Sequence, residues 1–220
     1  MMKWNMKSKK GILKRAAAVM LAAVTLAGMS ANGVLPASQV KADEALPGYV
    51  RSVYTNEWIP AEQSVVRPIA VMMPTDKVAQ PSYGISNADI LYEIMEEGEI
   101  SRQMAVISNW TGLSKIGNVR SCRAYYLPEA TEWDPIISHF GGVFYMQDRI
   151  TAPDIDNISG TNQYGTGGGA PGAGAFYRTS DRKAPHNAYT NAPNIINACA
   201  GLGYSVNIRE GFYNPKHFTF

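Results

Sequence analysis

The residues with the most chemical reach in this 220-residue chain fall in two short runs, Lys115 to Tyr126 (KIGNVRSCRAYY) and Ser180 to Asn187 (SDRKAPHN). In the first, Ser121 occupies an N-cap position ahead of a helix-like pattern, with guanidinium groups at Arg120 and Arg123. A helix N-terminus offers unpaired N–H groups and a partial positive charge, and two arginines beside it complete an anion-binding geometry. The competing reading is that both arginines pair with carboxylates of the same fold. In the second run, Asp181 and Arg182 can form a charge-assisted pair, and His186 and Asn187 follow a proline-set turn. Glu93 and Glu97, four residues apart, and Arg102 complete the set of candidate ligand-binding residues.

Catalytic arrangements built from these residues lack specific signatures. A nucleophilic triad of Ser121, His186 and Asp181 has no G-x-S-x-G elbow. A metal site drawn from His139 and His186 has no ligand spacing to support it, and His139, at the end of an apolar segment, reads better as a core residue. Paired carboxylates for glycoside cleavage could come from Glu93, Glu97 or Asp181, at a separation the sequence does not give. Cys122, flanked by arginines, could have a lowered thiol pKa, but no local motif supplies its base. Cys122 and Cys199 are the two cysteines, either joined or buried as small apolar residues. The glycine-rich run at 164–175 lacks the Lys-Ser/Thr of a phosphate-binding loop and reads as surface loop. No cofactor or metal is expected. A non-catalytic site for an anionic or sugar-like ligand needs the fewest assumptions, and a hydrolase acting on cell-wall material is the alternative.

The elements that must position these residues come from the apolar patterning. Arg67 to Met73 reads as a buried strand, and Ile100 to Trp110 as a second. Ser86 to Gly98 is predicted to be an amphipathic helix with a capping-box-like start, which would set Glu93 and Glu97 on one face. Cys122 to Thr131 is predicted helical, with Pro128 kinking or ending it. Further short elements are expected at Pro135–Phe140, Phe176–Thr179, a helix from Pro193 ending at Gly201, and a last strand at Tyr204–Ile208. This pattern implies an α/β fold of mixed α+β type, a mixed sheet with helices packed against it.

The division of the chain follows. Residues 1–42 carry Lys3, Lys7, Lys9, Lys10, Lys14 and Arg15, an apolar run from Ala16 to Ala27, and an ending in Val40-Lys41-Ala42. That is the form of a secretory signal peptide, with an apolar run short of the ~20 residues a membrane span needs. It holds 7 of the 20 Lys+Arg and none of the 18 Asp+Glu, so the remainder has 13 basic against 18 acidic residues, a net −5. A mildly acidic exported chain without a basic run is a poor nucleic-acid binder. Leu26-Ala27-Gly28 precedes Met29, where a lipoprotein would carry its acylated cysteine, so a lipid anchor is not expected. Residues 43–66 suit an arm laid on the domain, 67–210 the α/β domain, and 211–220 the start of a truncated second domain.

Taken in series, Arg67 to Met72, Tyr92-Glu93 with Glu97-Gly98 and Ile100-Ser101-Arg102, the Lys115–Tyr126 run and the Ser180–Asn187 run resemble the YerB-like lipoproteins over about residues 50–220. The resemblance implies a Gram-positive envelope protein with a mixed α/β N-terminal domain, usually followed by a smaller C-terminal one, in a family of unknown biochemical function. It carries over Glu93, Glu97, Arg102, Arg120, Ser121, Arg123, Asp181, Arg182 and His186 as motif positions without assigning them roles. Three positions depart from the family pattern: Met29 for the lipobox cysteine, Asn118 where proline is expected, and Cys122 for another small residue. The reading is an exported binding or scaffolding domain for an envelope ligand or protein partner. It would meet the membrane only through the leader before cleavage.

Overall fold

The computed structural model describes residues 46–166 and 173–212. The predicted signal peptide lies outside them, as do 167–172 of the glycine-rich loop and 213–220. Among the described residues no helix is long and apolar enough to cross a membrane.

The architecture is built around β3 (Ile69–Pro74), an apolar run buried along its whole length. Burial on both sides follows from its alternation. Ile69, Val71 and Met73 enter one core cluster, and Ala70 and Met72 enter another on the opposite face. β3 runs antiparallel to β5 (Ser101–Ile107) and parallel to β7 (Ile136–His139). β4 (Ile90–Met95) and β8 (Asp156–Ser159) complete a five-stranded mixed sheet of order β4-β5-β3-β7-β8. Such a sheet buries both faces and needs covering layers on each.

On the first face lie α3 (Ala192–Leu202), through Ala192, Ile195, Ala198 and Cys199, and Ile116 of β6 (Ile116–Gly117). β6 belongs to a small sheet with β10 (Ala188–Thr190) and β9 (Tyr177–Arg178). α3 starts where the Asn191 side chain accepts from Asn194 N–H, carries Pro193 in its first turn, and stops at left-handed Gly203, past the expected Gly201. The second face is covered by α1 (Leu127–Thr131) and α2 (Gln147–Ile150), each entered through a 3₁₀ turn. Pro128 sits in the first turn of α1, so it opens that helix rather than ending one.

These covering elements repeat. The path 3₁₀ turn, short helix, parallel strand occurs at Ala124–Tyr126, Leu127–Thr131 and Ile136–His139. It recurs 20 residues later at Phe144–Met146, Gln147–Ile150 and Asp156–Ser159. Cys122 and Gly142 form a parallel bridge in the same register. Arg67, fully buried, ties the amino ends of three strands together. It donates to Asp134 O at 2.6 Å, Asp134 Oδ1 at 3.1 Å and Asp156 Oδ2 at 2.5 Å.

Four sequence expectations are corrected. Ser86–Gly98 is not a helix: a 3₁₀ turn at Ile85–Asn87 leads into β4. The spacing of Ala88, Leu91 and Met95 fits a helix, but Ile90, Tyr92 and Ile94 alternate inward and are β-branched or aromatic, which the sheet edge rewards. Asp89 accepts from Ser108 N–H at 2.6 Å instead of capping a helix, and Gly98, at φ +81°, turns the β4–β5 hairpin. Tyr204–Ile208 forms no strand beyond the bridge between Val66 and Asn207. Residues 151–175, loop-rich in composition, hold the strand β8. Within 46–66, β1 (Tyr49–Arg51) and β2 (Trp58–Pro60) form a hairpin, with Arg51 over the Trp58 ring at 4.2 Å.

Candidate functional site

β3 and β7 pair directly only along Ile69–Val71 with Ile136–Ser138. Beyond that, towards their carboxyl ends, the run from Val119 to Cys122 fills the gap between them. Arg120 N–H donates to Met72 O at 2.8 Å, its carbonyl accepts from Phe140 N–H at 2.9 Å, and Cys122 N–H donates to Gly141 O at 3.0 Å. Val119 N–H reaches Ala188 O at 2.7 Å, which ties the run to the small sheet as well. The approach turns on Gly117, at φ +118°, where an added Cβ would lie 2.7 Å from Val119 N. The Gly117–Asn118 peptide is cis. The motif that the sequence singled out thus stands in the crevice at the carboxyl ends of parallel strands, where open α/β sheets place ligands.

Ser121 is not an N-cap. The 3₁₀ turn begins at Ala124 after an extended Arg123, no side chain caps it, and Ser121 Oγ donates to Phe140 O at 3.1 Å. A turn this short presents no helix-dipole site, so any anion must be held by side chains.

The arginines divide into two groups. Arg102, 2% exposed, pairs with Glu96 Oε1 at 2.5 Å and donates to Ser121 O at 2.7 Å. Arg123 donates to both Glu97 oxygens through Nε, at 3.1 and 2.9 Å, and its Nη2 lies 3.4 Å from Glu96 Oε2. Burial pushes the Glu96 carboxyl up and the Arg102 guanidinium down, and the attraction between unlike charges opposes both shifts. Tyr126 OH closes the group by donating to Arg102 O. This network is internally compensated.

Arg120 is different. Its side chain is 16% exposed; Nη1 lies 2.9 Å from His186 Nδ1, and Asp76 Oδ2 stands 3.8 Å away. A guanidinium can only donate, so Nδ1 is the acceptor and the neutral ring carries its proton on Nε2. Burial, followed by the charge of Arg120, holds the His186 pKa below its ordinary value; Asp76 opposes this and Arg182 adds to it.

The other predicted residues are distributed around these groups. Glu93 points to the opposite face of the sheet from Arg102, where it accepts from Ser101 Oγ at 2.5 Å and Gln103 Nε2 at 2.9 Å. It does not join the site, because strand geometry puts positions 93 and 96 on opposite sides. Asp181 accepts from Thr179 Oγ1 and, at 3.4 Å, from Tyr189 OH, with Arg182 Nε 3.7 Å away. Arg182 donates to Ala79 O and, at 3.2 Å, to Pro81 O, clamping the loop after β3 to the His186 loop. His139 is fully buried, its ring nitrogens 2.7 Å from Gly141 O and 3.2 Å from Asn157 Oδ1. Among the described residues no three His, Cys, Asp or Glu side chains gather into a metal-holding group.

Both cysteines are buried free thiols, placed in the clusters on opposite faces of the sheet. Burial pushes the Cys122 thiol up to about 12, the reverse of an activated nucleophile. Two residues escaped the sequence reading. Asp76 could have been suspected as a polar residue just past the carboxyl end of the central strand. Glu96 could not, because its burial depends on the hairpin folding over Arg102. Two hollows, of about 170 and 380 Å³, lie around Arg209. The smaller is lined by Asp134, Pro135, Asp154 and Ile155 at the amino ends of β7 and β8, away from this site.

The five-stranded mixed sheet with helices packed on both faces defines a mixed α/β domain. Residues 54–205 match the family described as Protein of unknown function (DUF3048) N-terminal domain, and the chain belongs to that YerB-like family. It is 31% identical over 147 residues to "Putative lipoprotein YerB" of Bacillus subtilis (strain 168), a match covering 66% of this chain and 42% of that protein. The crystal structure of the Bacillus subtilis YerB protein superposes with a TM-score of 0.64 at 27% identity, covering 72% of this chain and 51% of the other. The chain thus spans about half the length of these relatives.

Proposed function

We propose that this chain is an exported, envelope-facing binding domain whose site takes an anionic group at Arg120 and His186, supplied by a wall-derived ligand or a partner protein. The observation that carries this is the state of Arg120. It is a largely buried guanidinium whose close partner is a neutral imidazole, with the Asp76 carboxylate held at 3.8 Å. A carboxylate or phosphate arriving at the guanidinium gains charge-assisted hydrogen bonds there, and its charge acts on the adjoining His186 ring. The signal-peptide form of residues 1–42 and the lipoprotein name of the Bacillus relative support the location. Met29 in place of the lipobox cysteine favours a chain released after cleavage.

The hydrolase reading is weaker on the same geometry. His186 faces a guanidinium through Nδ1, and that positive charge works against the proton uptake a general base requires. Thermal-shift measurements with inorganic phosphate, a carboxylate-terminated peptide and soluble wall fragments test the proposal. A rise in Tm for the parent that disappears in a folded Arg120→Gln variant is the expected result. No rise with any of these probes, or the same rise in the variant, overturns it.

A further inference from the structure

The 20-residue repeat singles out one surface. In its first unit the 3₁₀ turn carries Ala124 and Tyr125, both half-buried against the second-face cluster. At the same places in the second unit stand Phe144, 86% exposed, and Tyr145, 59% exposed, with their rings edge-to-face at 5.5 Å. An alanine suffices at the Phe144 place in the first unit, so packing does not call for an aromatic there, and Tyr145 leaves in water a ring whose counterpart Tyr125 is packed. The pair follows Gly141 and Gly142 after one residue, Val143. Gly142 bridges to Cys122, and a Cβ on Gly141 would lie 3.5 Å from Ser121 Oγ. The exposed rings therefore stand on the same carboxyl edge of the sheet as Arg120 and Arg123.

We infer that the ligand of this edge is an anionic glycan, with its carboxylate or phosphate at Arg120 and His186 and the CH face of a sugar ring on Phe144 and Tyr145. This rests on the anion-binding reading above and names its ligand class. A small anion alone gives no reason for two large rings in water, whereas sugar rings combine an apolar face with polar edges and suit rigid aromatic platforms. A membrane surface is the less fitting occupant. The helix that follows the pair, α2, carries one Asp148 and one Arg149, not the basic face that anionic lipid attracts.

The test is affinity electrophoresis of the full chain through gels holding polygalacturonate, phosphomannan, neutral dextran or polyglutamate, with vesicles of anionic phospholipid assayed by co-sedimentation. The variants are Phe144→Ala/Tyr145→Ala and Arg120→Gln, each checked for an unchanged Tm. The expected result is retardation by polygalacturonate or phosphomannan, whichever charge the site prefers, with little by dextran or polyglutamate. The aromatic double variant should weaken glycan binding by about fivefold or more, while binding of inorganic phosphate stays as in the parent. Parent-like glycan binding by the double variant overturns the glycan inference and leaves the anion site standing if Arg120→Gln still loses binding. If Arg120→Gln also binds as the parent does, the anion reading itself falls. Capture by vesicles and not by either anionic glycan overturns the inference in favour of a membrane.

Discussion

Arg102 Nη2 and Glu96 Oε1 meet at 2.5 Å with each side chain 3% exposed, joining the second residue of β5 to the residue just after β4. The pair makes the β4–β5 hairpin, whose first strand the sequence presents as a helix, into one wall of the Arg120 crevice. Its partner Arg123 extends the wall to Glu97 at the surface.

Removing one member of that pair strands the other in a dry place. Glu96→Ala is expected to lower unfolding free energy by about 3–5 kcal/mol, and Arg102→Ala by a similar amount. Glu93→Ala, on the exposed face of the same hairpin, should change it by about 0.5 kcal/mol or less. Urea denaturation of the three variants measures this, and equal effects at positions 93 and 96 would contradict the assigned faces.

Anion binding at Arg120 should be linked to protonation of His186. In the free protein burial and Arg120 depress its pKa below the usual value of about 6.5. The unfolded state then binds more protons than the folded state between the two pKa values. The stability contribution of the neutral ring is thus present above pH ~6.5 and falls as pH drops towards the folded value. A bound anion favours the charged ring and raises that pKa, so affinity should increase as pH falls below ~6.5 while the ligand stays ionised. An NMR titration of the His186 ring with and without inorganic phosphate follows both effects. No upward movement with phosphate would place the anion elsewhere.

The thiols should be silent in the folded protein. Burial pushes Cys122 up to about 12 and Cys199 to about 11, and the two sit in clusters on opposite faces of the sheet. A water-soluble disulfide reagent at pH 8 is expected to label neither until denaturant is added, and to label both afterwards. Rapid labelling of native protein at Cys122 would reopen the nucleophile reading.

Gly117 should not accept a side chain. At φ +118° a Cβ would lie 2.7 Å from Val119 N, 2.9 Å from Val119 Cγ2 and 3.1 Å from Ala188 O, at the hydrogen bond that ties the run holding Arg120 to β10. Gly117→Ala is expected to cost about 1–3 kcal/mol or more and to weaken anion binding with it. Gly112→Ala, where a Cβ meets nothing within 4 Å, is the control and should keep both. Circular-dichroism melts with phosphate titrations of the two variants distinguish them.

Much of the fold was legible because its signals are local. The continuous apolar run at β3 marks a strand buried on both faces, and the alternation in β5 marks its neighbour. Pro193 marks the first turn of α3, whose stop at Gly203 falls two residues past the glycine the sequence suggests. The hairpin strand β4 was not legible as such, because Ala88, Leu91 and Met95 satisfy a helical spacing as well. Pairing with β5 is what decides for the alternating set Ile90, Tyr92 and Ile94.

By itself the sequence determined the mixed α/β class, the central strand, the family pattern and the prominence of Arg120, Arg123 and His186. Only the tertiary structure decided what each of those groups touches. It wedged Arg120 between the carboxyl ends of β3 and β7 and set the His186 ring against it. It turned Ser121 away from capping, and it spent Arg102 and Arg123 on Glu96 and Glu97. The reason is physical. Residue type fixes which charges and hydrogen-bond donors exist. Whether a charge is compensated depends on which carboxylate the fold brings within reach, and Glu96 and Arg102 reach each other only once the hairpin has closed.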